Sequence, residues 1–266
     1  WLIVLTVVIG CAGPRYERGP RAFTDAQAPV RVVDHTGDNE LAWFEVTVRA
    51  GSAHDPLGQE GLAHLTAQLL REGGAGDMSP EAVERQLVAL GTDVHVVVDR
   101  EMVHFRVRCL SEDAWKVASM LGDMIVRPGL DEDVFARLES ESAAWLERGV
   151  VQNDEGLGSA VFNARLYEGH RYGHPTRGRL GVVDVITVDD VRAFLAQRYL
   201  RSSVVLGVAG DVAPDVLSEL VSLLSEAPAG LYKDVTPRAV PKPDGRSLLI
   251  VEKPTESTGI HFGHVT

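Results

Sequence analysis

The sequence has 266 residues, of which 45% are hydrophobic and 24% charged, and its formal net charge is −12 at pH 7. This length and composition are those of a globular protein with a sizeable core, in one large domain or two small ones. The acidic balance argues against a nucleic-acid partner, because binding to phosphates favours a basic patch.

The first 29 residues predict a membrane anchor. Residues 1–10 are almost wholly apolar, too short for a stable membrane span and about right for the core of a signal peptide. They run into Val8-Ile9-Gly10-Cys11, which is typical of a bacterial lipobox. We expect residues 1–11 to be a lipoprotein signal segment that ends in the lipid-anchor Cys11, and residues 12–29 to be a tether. The alternative is a buried strand that ends in a chance cysteine.

Strands and helices alternate in the body of the chain. Residues 30–36 and 41–50 predict a first hairpin with a tight turn at Gly37-Asp38-Asn39, and residues 93–99 and 101–110 predict a second. A further strand is predicted at 203–209. Helices are predicted at 60–71, 79–91, 112–126, 131–148, 154–168, 187–199 and 214–224.

This order of elements favours an α+β fold, with an antiparallel sheet and helices packed on one side of it, over a doubly wound parallel sheet. We expect residues 30–234 to form one domain. Residues 235–247 predict a linker, since the stretch holds three prolines in 235–245. Residues 248–266 predict the start of a second domain, with strands at 248–252 and 260–265.

The predicted helix at 60–71 has the pattern of a metal site. Its leucines share one face, and His64, Ala67 and Gln68 fall on the opposite side. Two ligands at i and i+4 can reach one metal, and a carboxylate just before the second ligand polarises the bound water. His64 is a suitable first ligand. Ala67 stands at the position of the base and Gln68 at that of the second ligand, where an amide is a poor zinc ligand.

The run Arg-Ala-Gly-Ser-Ala-His-Asp-Pro-Leu-Gly-Gln-Glu-Gly-Leu-Ala-His-Leu-Thr, residues 49–66, resembles the start of the pitrilysin/insulinase metallopeptidases, in their mitochondrial processing peptidase-like branch. Residues 166–175, 182–191 and 207–212 are similar to later parts of the same unit, so the resemblance covers roughly residues 30–235. It implies two similar α+β halves around a cavity, of which the second is nearly all missing here.

The family continues this run into an inverted zinc motif, His-x-x-Glu-His, with a Glu ligand further along the chain. Here the sequence reads His-Leu-Thr-Ala-Gln, which resembles the family's non-catalytic partner subunits. The resemblance puts the distal ligand at Leu138. Glu139 and Glu141 are its acidic neighbours, and we interpret them as a solvated helix face. The vestigial zinc positions are therefore His64, Ala67, Gln68 and Leu138, and no catalytic residue or bound cofactor is expected, although the family uses zinc.

Three other histidine pairs are weaker candidates for a metal. One pair lies on strands that could be adjacent, with no carboxylate evident beside it; the second lies in a loop and the third near the end of the sequence. The pairs are His95 with His104, His170 with His174, and His261 with His264. Of the two cysteines, Cys109 ends a strand and is expected to be a structural thiol.

The lipobox predicts a lipid-anchored protein of the bacterial cell envelope, facing the periplasm, and the resemblance implies that it lacks its own zinc chemistry. Its expected partners are an active zinc endopeptidase subunit of the same family, a polypeptide substrate that both subunits bind, and the membrane. A hydrolase needs a base within reach of the attacking water, and Ala67 cannot supply one. The alternatives are a zinc metalloendopeptidase that uses His64 with unconventional ligands, and a stand-alone binding or scaffolding lipoprotein.

Overall fold

The computed structural model describes residues 31–36, 40–232, 245, 247–255 and 258–264. The predicted signal segment with Cys11, the tether, the turn at 37–39 and most of the predicted linker lie outside these residues. The described strands are β1 (Arg31–Thr36), β2 (Leu41–Val48), β3 (His95–Val98), β4 (Val103–Leu110) and β5 (Val204–Gly210). The α-helices are α1 (Leu62–Glu72), α2 (Pro80–Ala89), α3 (Ala114–Val126), α4 (Glu132–Leu146), α5 (Asp154–Leu166), α6 (Val188–Arg198) and α7 (Pro214–Leu224).

Local capping signals set the starts of several helices where the sequence predicts them. The Ser79 side chain accepts a hydrogen bond from the backbone N–H of Ala82, with Pro80 as the first residue of α2. At the start of α6, Thr187 and Asp190 satisfy each other's backbone N–H groups in a capping box. The predicted helices and the α+β class are confirmed, with shifts of only a few residues at the helix ends.

The sheet has the strand order β1-β5-β2-β4-β3. The second predicted hairpin is confirmed, since β3 and β4 pair antiparallel with Val97 opposite His104. The first is wrong, because β5 lies between β1 and β2, parallel to β1 and antiparallel to β2. Turn residues report where a chain reverses, but they carry no information about a strand from far along the sequence that inserts between the two arms.

One face of the sheet forms the core together with the described α-helices other than α5, which has no buried residue. On β2, Phe44 and Val46 are buried, while Trp43 on the opposite face is 48% exposed. Helix α1 is buried nearly all round, and it contributes its leucines and alanines to the same core cluster. Cys109 also lies in this core, and burial raises the pKa of its thiol to about 11, which suits a structural role.

The two strands predicted for a second domain are wrong for the residues that are described. Residues 247–255 and 258–264 have no regular secondary structure. The segment lies along α5, where the Lys253 ammonium contacts the Asp154 carboxylate at 2.8 Å. An apolar stretch becomes a strand only when a neighbouring strand takes up its backbone hydrogen bonds, and none of the described strands does so. Among the described helices, none is both long and apolar enough to cross a lipid bilayer.

The position of β5 can be tested by cross-linking. Val33 lies opposite Gly207, where an added side chain would meet only Glu45, at 3.7 Å or more. Oxidation of a Val33→Cys/Gly207→Cys variant should therefore form a disulfide, detected by a mobility shift and mass spectrometry. A Val32→Cys/Glu45→Cys variant is the control, because a hairpin would bring these residues together whereas the observed order separates their strands by about 9.5 Å. Cross-linking of the control pair alone would contradict the observed order.

Candidate functional site

The site is built on the first turn of α1, which a buried carboxyl group anchors. The two carboxyl oxygens of Asp55 accept hydrogen bonds from the backbone N–H groups of Gly61, at 2.8 Å, and Ala63, at 2.7 Å. These are donors that a helix leaves without intrahelical partners at its N-terminus. The bonds fix where α1 begins and therefore where His64 lies.

The three positions predicted on α1 are brought together, and their environments differ. His64 is 7% exposed, Ala67 is fully buried in the hydrophobic core, and Gln68 is partly exposed. Burial disfavours the imidazolium and a nearby positive charge, that of Arg177, adds to the effect, so the pKa of His64 is lowered to about 4. His64 is therefore a neutral imidazole at pH 7, with no carboxylate on its own helix face.

A cation that the sequence reasoning missed stands close to His64. The guanidinium carbon of Arg177 lies 4.6 Å from the centroid of the Trp145 ring, near the C-terminus of α4. A stacked arginine of this kind gains from the negative face of the indole ring. Neither residue carries a local pattern that points to the site, because the two meet only when α4 and the loop before α6 pack around α1.

Backbone contact holds the loop that carries Arg177 against the start of α1. A side chain added at Gly178 would come within 2.2 Å of the Glu60 carbonyl oxygen, and one added at Gly61 within 2.9 Å of the Arg177 carbonyl oxygen. Both glycines have positive φ angles, 96° and 114°, which side-chain-bearing residues rarely adopt. Glycine at both positions therefore permits the close approach that places Arg177 beside His64.

The predicted distal position offers no ligand. Leu138 lies in the hydrophobic core on the buried face of α4. Of its acidic neighbours, Glu141 is paired with Arg137 at 2.9 Å. Burial and then the charge of Asp184 raise the pKa of Glu139, which lies on a partly buried face. Within the described residues, no group of three or more His, Cys, Asp or Glu side chains is placed to hold a metal ion.

Of the alternative histidine pairs, the first two contact neighbouring side chains of the fold. His95 lies opposite Arg106, and His104 lies on the adjacent strand β4. The expectation that no carboxylate stands beside this pair is wrong, since His104 Nδ1 lies 2.8 Å from Glu45 Oε1. Glu45 reaches it from β2, a neighbour that the sequence pattern does not reveal. Burial opposes ionisation of Glu45, but hydrogen bonds from His104 and Arg106 outweigh it and lower the pKa of the carboxyl.

The second pair lies in the predicted loop, around a short turn at Arg171–Gly173. His174 Nε2 is 4.0 Å from Asp55 Oδ2, and both side chains are buried. Burial raises the pKa of Asp55 to about 7, despite the opposing hydrogen bonds from Gly61 and Ala63, and the charge of Glu60 adds to the rise. The anchor of α1 is thus a group that titrates near neutral pH.

The chain is similar to several known proteins. A family model described as Insulinase (Peptidase family M16) matches residues 31–177. The mitochondrial-processing peptidase subunit beta of Dictyostelium discoideum is 22% identical over 196 residues, which cover 72% of this chain and 41% of that protein. Cytochrome b-c1 complex subunit 1 of Mus musculus is 22% identical over 216 residues, which cover 80% of this chain and 44% of that protein.

A solved structure shares the fold. The peptidase M16 inactive domain from Pseudomonas fluorescens superposes with a TM-score of 0.72 at 23% identity, covering 84% of this chain and 53% of that one. The chain thus spans about half the length of the relatives that it matches.

Titration of Asp55 makes a prediction about stability. The raised pKa favours the protonated carboxyl in the folded protein, so its stabilising contribution is complete below pH 3.8, the ordinary pKa of the group, and is lost as pH rises through about 7. Between pH 5 and pH 8 the free energy of unfolding should fall by roughly 2 to 3 kcal/mol through this group.

Urea unfolding of the wild type and of Asp55→Asn across this pH range measures the effect. The variant should lack this component of the pH dependence, whereas the buried His64 titrates in both proteins and cancels in the difference. Parallel curves for the two proteins would show that Asp55 does not titrate near neutral pH in the folded state.

Proposed function

The chain belongs to the insulinase family, peptidase family M16, and from this premise we propose that it is a non-catalytic member that partners an active zinc endopeptidase subunit and helps it bind polypeptides. The resemblance identified in the sequence is confirmed by the family match. The proposed division of labour has this chain supply binding surface and the partner supply the zinc-bound water.

The observation that carries the proposal is the chemistry of the α1 face. Hydrolysis by a metal-bound water needs a general base within hydrogen-bond reach, and the residue at that position is Ala67, buried in the core. The next ligand position holds the amide of Gln68. The methyl group of Ala67 cannot act as a general base, and the amide of Gln68 is a poor zinc ligand.

The residues of this face do not fit the zinc ion that the family implies. A structural or catalytic zinc site uses three or four imidazole, thiolate or carboxylate donors, and His64 is the single such donor among the three predicted positions on α1. The carboxylate of Glu72, the last residue of the helix, is paired with Arg137 at 2.6 Å. The guanidinium of Arg177 acts against a divalent cation as well, because its charge already disfavours a proton on His64. These residues therefore supply no catalytic step through a metal.

The relatives support a role as one subunit of a pair. Two of them are described as subunits, of the mitochondrial-processing peptidase and of the cytochrome b-c1 complex, and the bacterial fold neighbour is described as an inactive domain. An extended polypeptide can pair with the edge of a sheet through main-chain hydrogen bonds, and β3 lies at an edge of the described sheet. The predicted lipid anchor at Cys11 would hold such a complex at a membrane, facing the periplasm.

Reconstitution tests the partnership. The full-length chain, produced together with a family member from the same organism that has an intact His-x-x-Glu-His motif, should co-purify with it. It should raise cleavage of a fluorogenic peptide at least several-fold over the partner alone. Replacing the motif Glu of the partner by Gln should abolish that cleavage, because all of the chemistry resides there.

Elemental analysis of the chain alone supplies the second measurement. Chelator-free preparations should contain near-zero zinc, with no change in His64→Ala. About one zinc per chain that His64→Ala removes, together with cleavage in the absence of the partner, would instead establish the alternative of an active endopeptidase with unconventional ligands. Failure to co-purify with any such family member, or to stimulate its cleavage, would reject the proposed pairing.

A further inference from the structure

Arg177 is a half-buried cation that has no counter-ion among the described residues. Its pKa is lowered by burial, and no carboxylate in that part of the chain is close enough to oppose the effect. Some partly buried arginines differ in this respect, although burial also lowers the pKa of Arg100 and of Arg198. The pKa of Arg71 is raised by Asp93 and Glu84 against its own burial, and that of Arg137 is raised by Glu141 and Glu72.

The stacking of Arg177 on Trp145 orients the guanidinium without consuming its hydrogen-bonding capacity. The ring lies 4.6 Å from the guanidinium carbon and covers one face of the plane. The N–H donors of a guanidinium point outwards within that plane and form a fork that matches the two oxygens of a carboxylate. Trp145 is 41% exposed, so the stacked pair is accessible from solvent.

The surroundings of the pair also favour an anion. His64, the neighbouring ring, is neutral at pH 7 because its pKa is lowered to about 4, so the charge at this face is that of the Arg177 guanidinium. The Gly61–Gly178 backbone contact fixes the loop that carries Arg177. Less conformational entropy of this loop is therefore lost when a ligand binds.

We propose that Arg177, stacked on Trp145 beside His64, binds a carboxylate group of a polypeptide, either an acidic side chain or the C-terminus of the chain. This assignment rests on the proposed function, because it names the chemical group that a polypeptide-binding subunit recognises. The α1 face would then hold a negatively charged carboxylate, where the family's zinc motif would hold a metal cation.

Fluorescence anisotropy with labelled peptides tests the site in the full-length protein. The first probe is acetyl-Ala-Ala-Asp-Ala-Ala-amide with a fluorophore on an added Lys, and the second replaces Asp by Asn. The Asp peptide should bind about tenfold more tightly than the Asn peptide, and the preference should shrink as salt is added. A third probe, the Asn peptide with a free C-terminal carboxylate, shows by its own gain in affinity whether the terminus is also a source of the recognised group.

Two variants assign the preference to Arg177. Arg177→Gln should remove the discrimination between the Asp and Asn peptides, whereas Arg179→Gln, an exposed arginine in the same loop, should leave it intact. Arg177→Lys keeps the charge but not the planar fork, and it should retain only part of the preference. Thermal unfolding of each variant within a few degrees of the wild type ensures that loss of binding reflects the site.

Equal binding of the Asp and Asn peptides by the wild type, or a preference that survives Arg177→Gln, would overturn the assignment. So would the absence of saturable binding of all three probes. These outcomes are separable from failure of the proposed function, because reconstitution with the partner peptidase is scored by co-purification and cleavage and not by peptide charge. A complex that forms and stimulates cleavage without a carboxylate preference would remove this inference alone.

Discussion

Two hydrogen bonds from the backbone of α1 to one buried carboxyl group set the position of the helix on which the candidate site is built. Asp55 holds the first turn, and the loop that follows α5 rests on that turn through the contact of Gly178 with Gly61. The placement of Arg177, and with it the electrostatic environment of His64, depends on this junction. A change in the protonation of Asp55 therefore acts on the site indirectly, through the helix that both share.

The α1 helix contributes to the hydrophobic core independently of any metal chemistry on its face. Ala67 stands where a general base would project, and its methyl group packs into the core with the neighbouring leucines. The helix is needed for the core whether or not it carries ligands, because it is buried nearly all round. The fold therefore does not depend on metal donors at this face, and the charge nearest to His64 in the described part of the chain is that of Arg177.

Local signals predicted the helices well, because caps such as Ser79 and Thr187 act within four residues of each helix start. Helical periodicity also groups His64 with Gln68 on one side of α1, but it puts Ala67 on that side as well, whereas Ala67 is buried in the core with the leucines. Three features could not be predicted from the sequence. They are the parallel pairing of β1 with β5, the carboxylate of Glu45 beside His104, and the stacking of Arg177 on Trp145. Each joins residues that are distant in sequence, and no pattern in either partner specifies the other.

The insertion of β5 between β1 and β2 has a consequence for how the chain reaches its folded state. Strand β5 is separated from β1 by residues 37–203, so the sheet cannot close until nearly the whole described domain has been synthesised. Contacts between residues so far apart in sequence slow folding, because the loop between them must be ordered first. Until β5 arrives, β2 presents an open edge beside its apolar face, and the nascent chain is most exposed to aggregation during that interval.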